Sequence, residues 1–287
     1  MRSVRVMLLG TLSILVIGCA ITNTTISPTT TAPPTASNTP PIPPDDNRTP
    51  IVPVPDTPVA TVEPTPERPD EAILILFPGS SSIVTSPVTV SGLADPTFEQ
   101  TLVVRILLTD NTVLALTPTT IQADMGERGR FSVDVPFEVE STTQGFIQVF
   151  AQSARDGGIT HLSTVGVALA PSGPETIVPG QYHPEQIWIQ EPVLGQTVSG
   201  GIVRVQGYAL ASFEQTLVID VYDEAGNLVG SKPTMTHAPD YGLPGPFDDT
   251  VSYSVNSVGP GRIVVRDPSV AFVGDYHIAS VEITLAP

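Results

Sequence analysis

From residue 71 onward, short runs of Val, Ile, Leu and Thr alternate with clusters of Gly, Pro, Asp and Ser. Leu102, Val104 and Ile106 fall on one side of an extended chain, with Val103, Arg105 and Leu107 on the other. Leu217, Ile219 and Val221 stand in the same way against Val218, Asp220 and Tyr222. The side that stays aliphatic in both runs is expected to be buried. The side that exchanges Arg105 for Asp220 is expected to be wet. Turn residues follow each run, Thr109–Thr112 in one case and Asp223–Asn227 in the other, where Asp and Asn accept local backbone bonds and Gly tolerates positive φ. No window of eleven residues or more has convincing helical periodicity. The pattern predicts an all-β protein of short strands.

The runs recur. "ILILFP" at Ile73–Pro78 matches "IWIQEP" at Ile187–Pro192, and "VTVSGLADPTFEQTLVVRI" at Val88–Ile106 matches "VRVQGYALASFEQTLVIDV" at Val203–Val221. Gly92 pairs with Gly207, Gly145–Val149 with Gly261–Val265, and "GITHLSTVGVALAP" at Gly158–Pro171 with "GDYHIASVEITLAP" at Gly274–Pro287. The offset stays between 114 and 116, so a domain of about 100 residues has been duplicated in tandem. About seven strands per copy predict two immunoglobulin-like β-sandwiches, over 71–171 and 187–287, joined by a Pro- and Gly-bearing linker at 172–186. Each copy is large enough to hold a core of its own.

The first seventy residues have a different texture. Met1–Arg5 carries two arginines, and Val6–Ile17 is mostly apolar but too short to span a bilayer as a helix. This fits the apolar region of a secretory signal. Val16-Ile17-Gly18-Cys19 follows and resembles the lipobox of bacterial lipoproteins. That resemblance implies a signal peptide over 1–18, cleavage after Gly18 and a diacylglycerol on the Cys19 thiol. The alternative is an ordinary signal peptide that happens to contain a Cys, but Cys19 is the single cysteine of the chain. Two acyl chains suffice for stable anchoring where one does not. From Ile21 to Asp70, 26 of 50 residues are Pro or Thr, too few apolar groups to offset ordering entropy. Residues 19–70 are therefore expected to be a disordered, polyproline-like stalk, with an upper reach of roughly 150 Å. It would serve either as a spacer or as a tether without a length requirement.

An aliphatic strand ending in Pro, "SPVTVSG", FE before a second aliphatic strand, an acidic turn, "GRF" and a final strand follow one another in copy one. This order resembles the immunoglobulin-like domain of bacterial spore germination proteins, most clearly over Ser86–Leu102, and both copies carry it. The resemblance implies an extracytoplasmic, non-catalytic module. Such domains lead one to expect "SxDG" before the last strand. Copy one has Ser153-Ala154-Arg155-Asp156-Gly157, whereas copy two has Ser269-Val270-Ala271-Phe272-Val273.

Charge and chemistry narrow the function. The formal net charge of −17, with 12 basic residues, makes a nucleic-acid partner a poor fit. No nucleophile elbow, Cys–His pair or phosphate loop is present, so no catalytic residue, cofactor or enzymatic activity is expected. His161 and His277 occupy equivalent positions and invite a metal reading. No free Cys remains after Cys19, however, and no second His sits at ligand spacing, so repeated structural histidines and no metal are expected; His183 and His237 are unmatched. Asp240, Asp248 and Asp249 lack the spacing of a calcium loop. The hexapeptide FEQTLV, at Phe98–Val103 and Phe213–Val218, is read as scaffold. Its phenylalanine rings are expected to close the core, and the Glu99 and Glu214 carboxylates to accept backbone N–H bonds from the preceding loop. The chain is thus read as an envelope lipoprotein, bound to the membrane through Cys19 and displaying two modules for binding or structural roles. The alternative is an accessory of a germination or wall-remodelling apparatus that recruits an enzyme.

Overall fold

The computed structural model describes residues 67–211 and 213–287. Cys19, the signal segment and the Pro/Thr-rich stretch up to residue 66 lie outside the described residues, as does Ser212. Copy one contains β1 (Ile73–Phe77), β2 (Ile83–Val84), β3 (Val88–Ala94), β4 (Thr101–Leu108), β5 (Val113–Thr120), β6 (Gly129–Val135), β7 (Thr143–Gln152) and β8 (Ile159–Leu169). Copy two repeats the series as β9 (Ile187–Glu191), β10 (Thr197–Val198), β11 (Ile202–Ala209), β12 (Thr216–Tyr222), β13 (Leu228–Met235), β14 (Gly245–Ser252), β15 (Gly259–Pro268) and β16 (Asp275–Leu285). No helix among the described residues is long and apolar enough to cross a membrane.

Each copy is a sandwich. In copy one the sheet β1-β3-β6 faces β5-β4-β7-β8, and in copy two β14-β11-β9 faces β13-β12-β15-β16. The alternation read from the chain sets the inner layers. Leu102, Val104 and Ile106 are buried with Ile73, Val90, Phe131 and Ile147 in one core; Leu217, Ile219 and Val221 are buried with Ile187, Val205, Phe247 and Ile263 in the other. The repeated glycines have a steric cause. A Cβ on Gly92 would lie 2.0 Å from the Leu74 carbonyl oxygen and 2.8 Å from the Phe131 ring. On Gly207 it would lie 2.0 Å from the Trp188 oxygen and 2.8 Å from the Phe247 ring. Any side chain there would push the first strand off the sheet.

The two copies join edge to edge. β8 and β16 run antiparallel with Leu162 opposite Ile278, and this pairing merges the two larger sheets into one of ten strands. Leu162 and Ile278 hold the same place in the repeat, so a local two-fold axis passes between them. On one face of the seam they pack with Phe150 and Val264 in a small apolar cluster of their own. Their neighbours on each strand, His161 and His277, turn to the opposite face.

The expectation of a wet outer face on β4 and β12 is overturned. Leu107 is buried, and so is Asp220. The loop before the last strand of each copy reaches over the other copy: Val273 N–H donates to the Thr109 carbonyl, and Asp156 meets Arg262. The Arg/Asp exchange at Arg105 and Asp220 reflects different partners, not exposure. Arg105 donates to Gln148 (3.0 Å), while Asp220 accepts from Arg266 (2.7 Å) and Ser231 (2.5 Å). The segment 172–186 also packs on copy one rather than hanging free, with Thr176 bridged to Ile83 and Pro184 to Asp70.

Candidate functional site

Four ionisable side chains converge on the seam. His161 and His277 arrive from β8 and β16, which the two-fold pairing places side by side, with ring centroids 5.0 Å apart and edge to face. Glu71 and Glu185 each stand two residues before the first strand of a copy, and they share the 114-residue offset of Ile73 and Ile187. Glu71, Glu185 and His277 are buried. His161 Nε2–H donates to Glu71 Oε1 (2.9 Å), and His277 Nε2–H donates to Glu185 Oε1 (3.1 Å). Across the axis, the two remaining nitrogen–oxygen separations are both 3.7 Å.

The outer carboxylate oxygens are held reciprocally. Glu71 Oε2 accepts from the backbone N–H of Gln186 (3.0 Å), the residue after Glu185. Glu185 Oε2 accepts from the N–H of Ala72 (2.8 Å), the residue after Glu71. Each copy therefore clamps the other's carboxylate and leaves one oxygen aimed at the centre. Ser163 adds a bond to Glu71 Oε1 (3.2 Å); its counterpart in copy two is Ala279, which has none to offer. His183, from segment 172–186, approaches Glu71 Oε2 to 3.7 Å.

Burial alone would raise the Glu71 pKa, but the charge of His277 and the bond and charge of His161 outweigh it and hold Glu71 at about 2. Burial alone would lower His161, but the charge of Glu185 and the bond and charge of Glu71 raise it to about 9. At neutral pH Glu71 is an anion and His161 a cation. A buried carboxylate of this kind persists because it is both paired and hydrogen-bonded. Two nitrogen and two oxygen donors that lie within 4.8 Å of one another form a group able to hold a metal ion.

Half of this cluster, His161 and His277, is visible in the chain as an equivalent pair. Their partners are not local: they stand 90 and 92 positions away. Glu71 and Glu185 lie just outside the matched runs that begin at Ile73 and Ile187. The signal was present two residues earlier, in an acid repeated at the same offset.

The FEQTLV expectation requires correction. Phe98 is 59% exposed and Phe213 39%, so neither ring closes the core. Glu99 and Glu214 are exposed and sit in left-handed backbone (φ 53° and 47°). The glutamines hold the turn instead. Gln100 is buried, donates to the carbonyls of Asp124 (2.9 Å) and Glu127 (3.0 Å), and accepts from Thr97 N–H (3.3 Å). Gln215 accepts from Ala238 N–H (3.3 Å). Two consecutive left-handed residues turn the chain before β4 and β12, and this swings the phenylalanine outward.

The other polar residues singled out have ordinary partners. Asp248 pairs with Arg204 and Asp249 with Lys232, both at 2.5 Å, and Asp240 accepts from Tyr241 N–H (2.7 Å). These three acids do not converge on one point, and His237 is exposed.

These observations define a class: a pair of immunoglobulin-like sandwiches fused through their last strands, with a polar cluster on the axis that relates them. The chain belongs to the family of the immunoglobulin-like domain of bacterial spore germination, whose model matches residues 72–158 and 186–271. No curated protein matches it. Among solved structures it is similar to red sea bream transglutaminase at 8% identity, covering 75% of this chain and 31% of that one (TM-score 0.27). It is similar to dimeric latent PorU from Porphyromonas gingivalis at 10% identity, covering 75% and 24% (TM-score 0.24). It is similar to bovine butyrophilin at 10% identity, covering 74% and 98% (TM-score 0.22). The chain thus spans about a third of the transglutaminase and a quarter of PorU.

Proposed function

We propose that this protein is a non-catalytic envelope lipoprotein, anchored through Cys19, which presents two fused immunoglobulin-like modules outside the membrane. The observation that carries this reading is the fusion itself. Two copies of a spore-germination family domain share one ten-stranded sheet whose free edges, β5 and β13, face opposite ways along it. A pair built like this presents two surfaces at a set separation, as a docking module needs, and the sequence before it supplies an anchor and a stalk. The test is to replace Cys19 with Ala and fractionate cells fed labelled fatty acid. The parent is expected in the membrane with label, and the variant released without it. An unlabelled parent, or a variant that stays in the membrane as fully as the parent, overturns the anchor. The second reading, an accessory that recruits a germination or wall enzyme, is favoured by the family to which both copies belong. Crosslinking on intact cells separates the two, because recovery of an envelope enzyme supports recruitment and recovery of wall polymer supports display.

A further inference from the structure

We propose that Glu71, His161, Glu185 and His277 form a structural zinc site that bolts the two sandwiches together. The geometry carries this. In a tetrahedral site with bonds of about 2.0–2.1 Å, neighbouring donor atoms lie about 3.3–3.4 Å apart. Around the cluster the four nitrogen–oxygen separations are 2.9, 3.7, 3.1 and 3.7 Å, which bracket that value. All four atoms lie within 4.8 Å of one another, so small side-chain adjustments bring them to one centre.

The donor set selects the ion. Two imidazoles and two carboxylates without a thiolate suit a borderline divalent metal such as Zn²⁺. Calcium asks for six to eight oxygens and magnesium for octahedral geometry with retained water, and the cluster offers neither. Four protein donors leave no open coordination position, the mark of a structural site rather than a catalytic one. The carboxylates are already oriented as single-oxygen ligands, because each outer oxygen is held by a backbone N–H of the other copy.

Two ligands come from each copy, so a bound ion would close a bridge across the seam. An entry route exists. His161 lines two open grooves that flank the axis, one of about 600 Å³ with Pro96 and Phe98, the other of about 690 Å³ with Trp188 and Leu194. One outer bond is lacking: the buried Nδ1 of His277 has no partner among the described residues. A missing outer bond of this kind weakens metal affinity by about 10–100-fold. The ion is therefore expected to be acquired on titration rather than to survive purification.

The experiment is a Zn²⁺ titration of the full chain at pH 8, after chelation and dialysis, by calorimetry and thermal unfolding. One ion per chain and a higher Tm are expected. Neither is expected in the Glu71→Gln/His277→Gln variant, which keeps side-chain size. Absence of saturable binding in the parent overturns the proposal, and so does unchanged binding in a folded variant, which would assign the ion to half-buried His183 or exposed His237. Should the variant fail to fold, X-ray absorption at the zinc edge decides on the parent alone. Two imidazole nitrogens and two oxygens near 2.0 Å support the site. A six-oxygen shell or a single imidazole refutes it.

Discussion

Two flanks of the seam occupy the same positions in the repeat and are filled by opposite chemistry. On one flank Asp156, from the loop before β8, meets Arg262 on β15 in a two-pronged pair of 3.1 and 2.9 Å, with both side chains buried. On the other flank the counterpart of Asp156 is Phe272 and the counterpart of Arg262 is Phe146. Their rings stack with centroids 4.2 Å apart, over buried Leu107. Tyr222, the counterpart of Leu107, lies beneath the Arg262 guanidinium at 5.7 Å. On the axis both copies keep their Glu–His pair; off the axis they have diverged. The reason is geometric. Near the axis His161 meets its own counterpart, so a change in one copy disturbs a matched pair. Off the axis each residue meets a different position, and both members of one flank can change together. An ion pair on one side and an aromatic pair on the other also make the seam directional, which discourages like copies of two chains from joining.

The largest effect should come from putting one flank's residue on the other. Phe272→Asp removes a buried ring and leaves a carboxylate against Phe146 and Leu107 with no cation. The two losses together should cost roughly 5 kcal/mol or more. Adding Phe146→Arg should restore much of it by rebuilding the ion pair of the opposite flank. Urea unfolding of the four chains of this cycle gives the coupling directly. A double variant no more stable than Phe272→Asp alone would mean that the flanks are not interchangeable.

Arg262→Met should cost about 3 kcal/mol, because Asp156 stays buried without its main partner. Arg155, 3.7 Å from the same carboxylate, limits the loss. Changing both partners, Asp156→Phe with Arg262→Phe, should be neutral or stabilising by about 1–4 kcal/mol, since desolvation of the two charges disappears. Thermal unfolding distinguishes these outcomes. A double variant as unstable as the single one would show that the flank requires charge.

Much of this architecture was legible in the chain. Leu102, Val104 and Ile106 alternate against Val103, Arg105 and Leu107, and that alternation places the core side of β4 correctly. The tandem repeat follows from matched runs such as "VTVSGLA" and "VRVQGYA". What alternation does not report is the partner of the second face. Leu107 and Asp220 looked solvent-facing because a strand pattern describes one sandwich, whereas these residues are covered by the other copy. The Asp156/Phe272 difference looked like a lost motif for the same reason: each residue is fitted to the opposite copy and not to its own. His161 and His277 were visible as a pair, but their acids stand at the far end of each repeat and come near only when each copy folds, with β1 beside β8 and β9 beside β16.

The axis itself should respond to pH. In chelator, His161 carries a pKa raised to about 9 from its ordinary value near 6.5. The stability it contributes is complete below about 6.5 and is lost as pH rises through 9. Glu71, lowered to about 2, contributes stability that is complete above its ordinary value and is lost as pH falls through 2. The metal-free chain should therefore be most stable between about pH 4.5 and 6.5, with Tm falling toward pH 9 by about 2–4 °C for each kcal/mol lost. His161→Asn should flatten the alkaline limb and leave the two flanks intact. An alkaline limb unchanged in that variant would place the titrating group elsewhere.

The smallest effect is expected where the two copies agree best in sequence. Phe98 stands in the repeated hexapeptide yet is more than half exposed, so Phe98→Ala should move the unfolding midpoint by no more than about 0.5 kcal/mol. Gln100→Ala, two residues on, should cost about 1–3 kcal/mol, because the Asp124 and Glu127 carbonyls lose a buried donor. Identity between copies thus marks the turn before β4 and β12, held by glutamine, while the ring rides on its outside. At the flanks the letters differ but the positions carry large energies; here the letters agree and one of them carries almost none. Urea midpoints for the two substitutions decide the point. A Phe98→Ala loss equal to that of Gln100→Ala would mean that the ring is covered in solution.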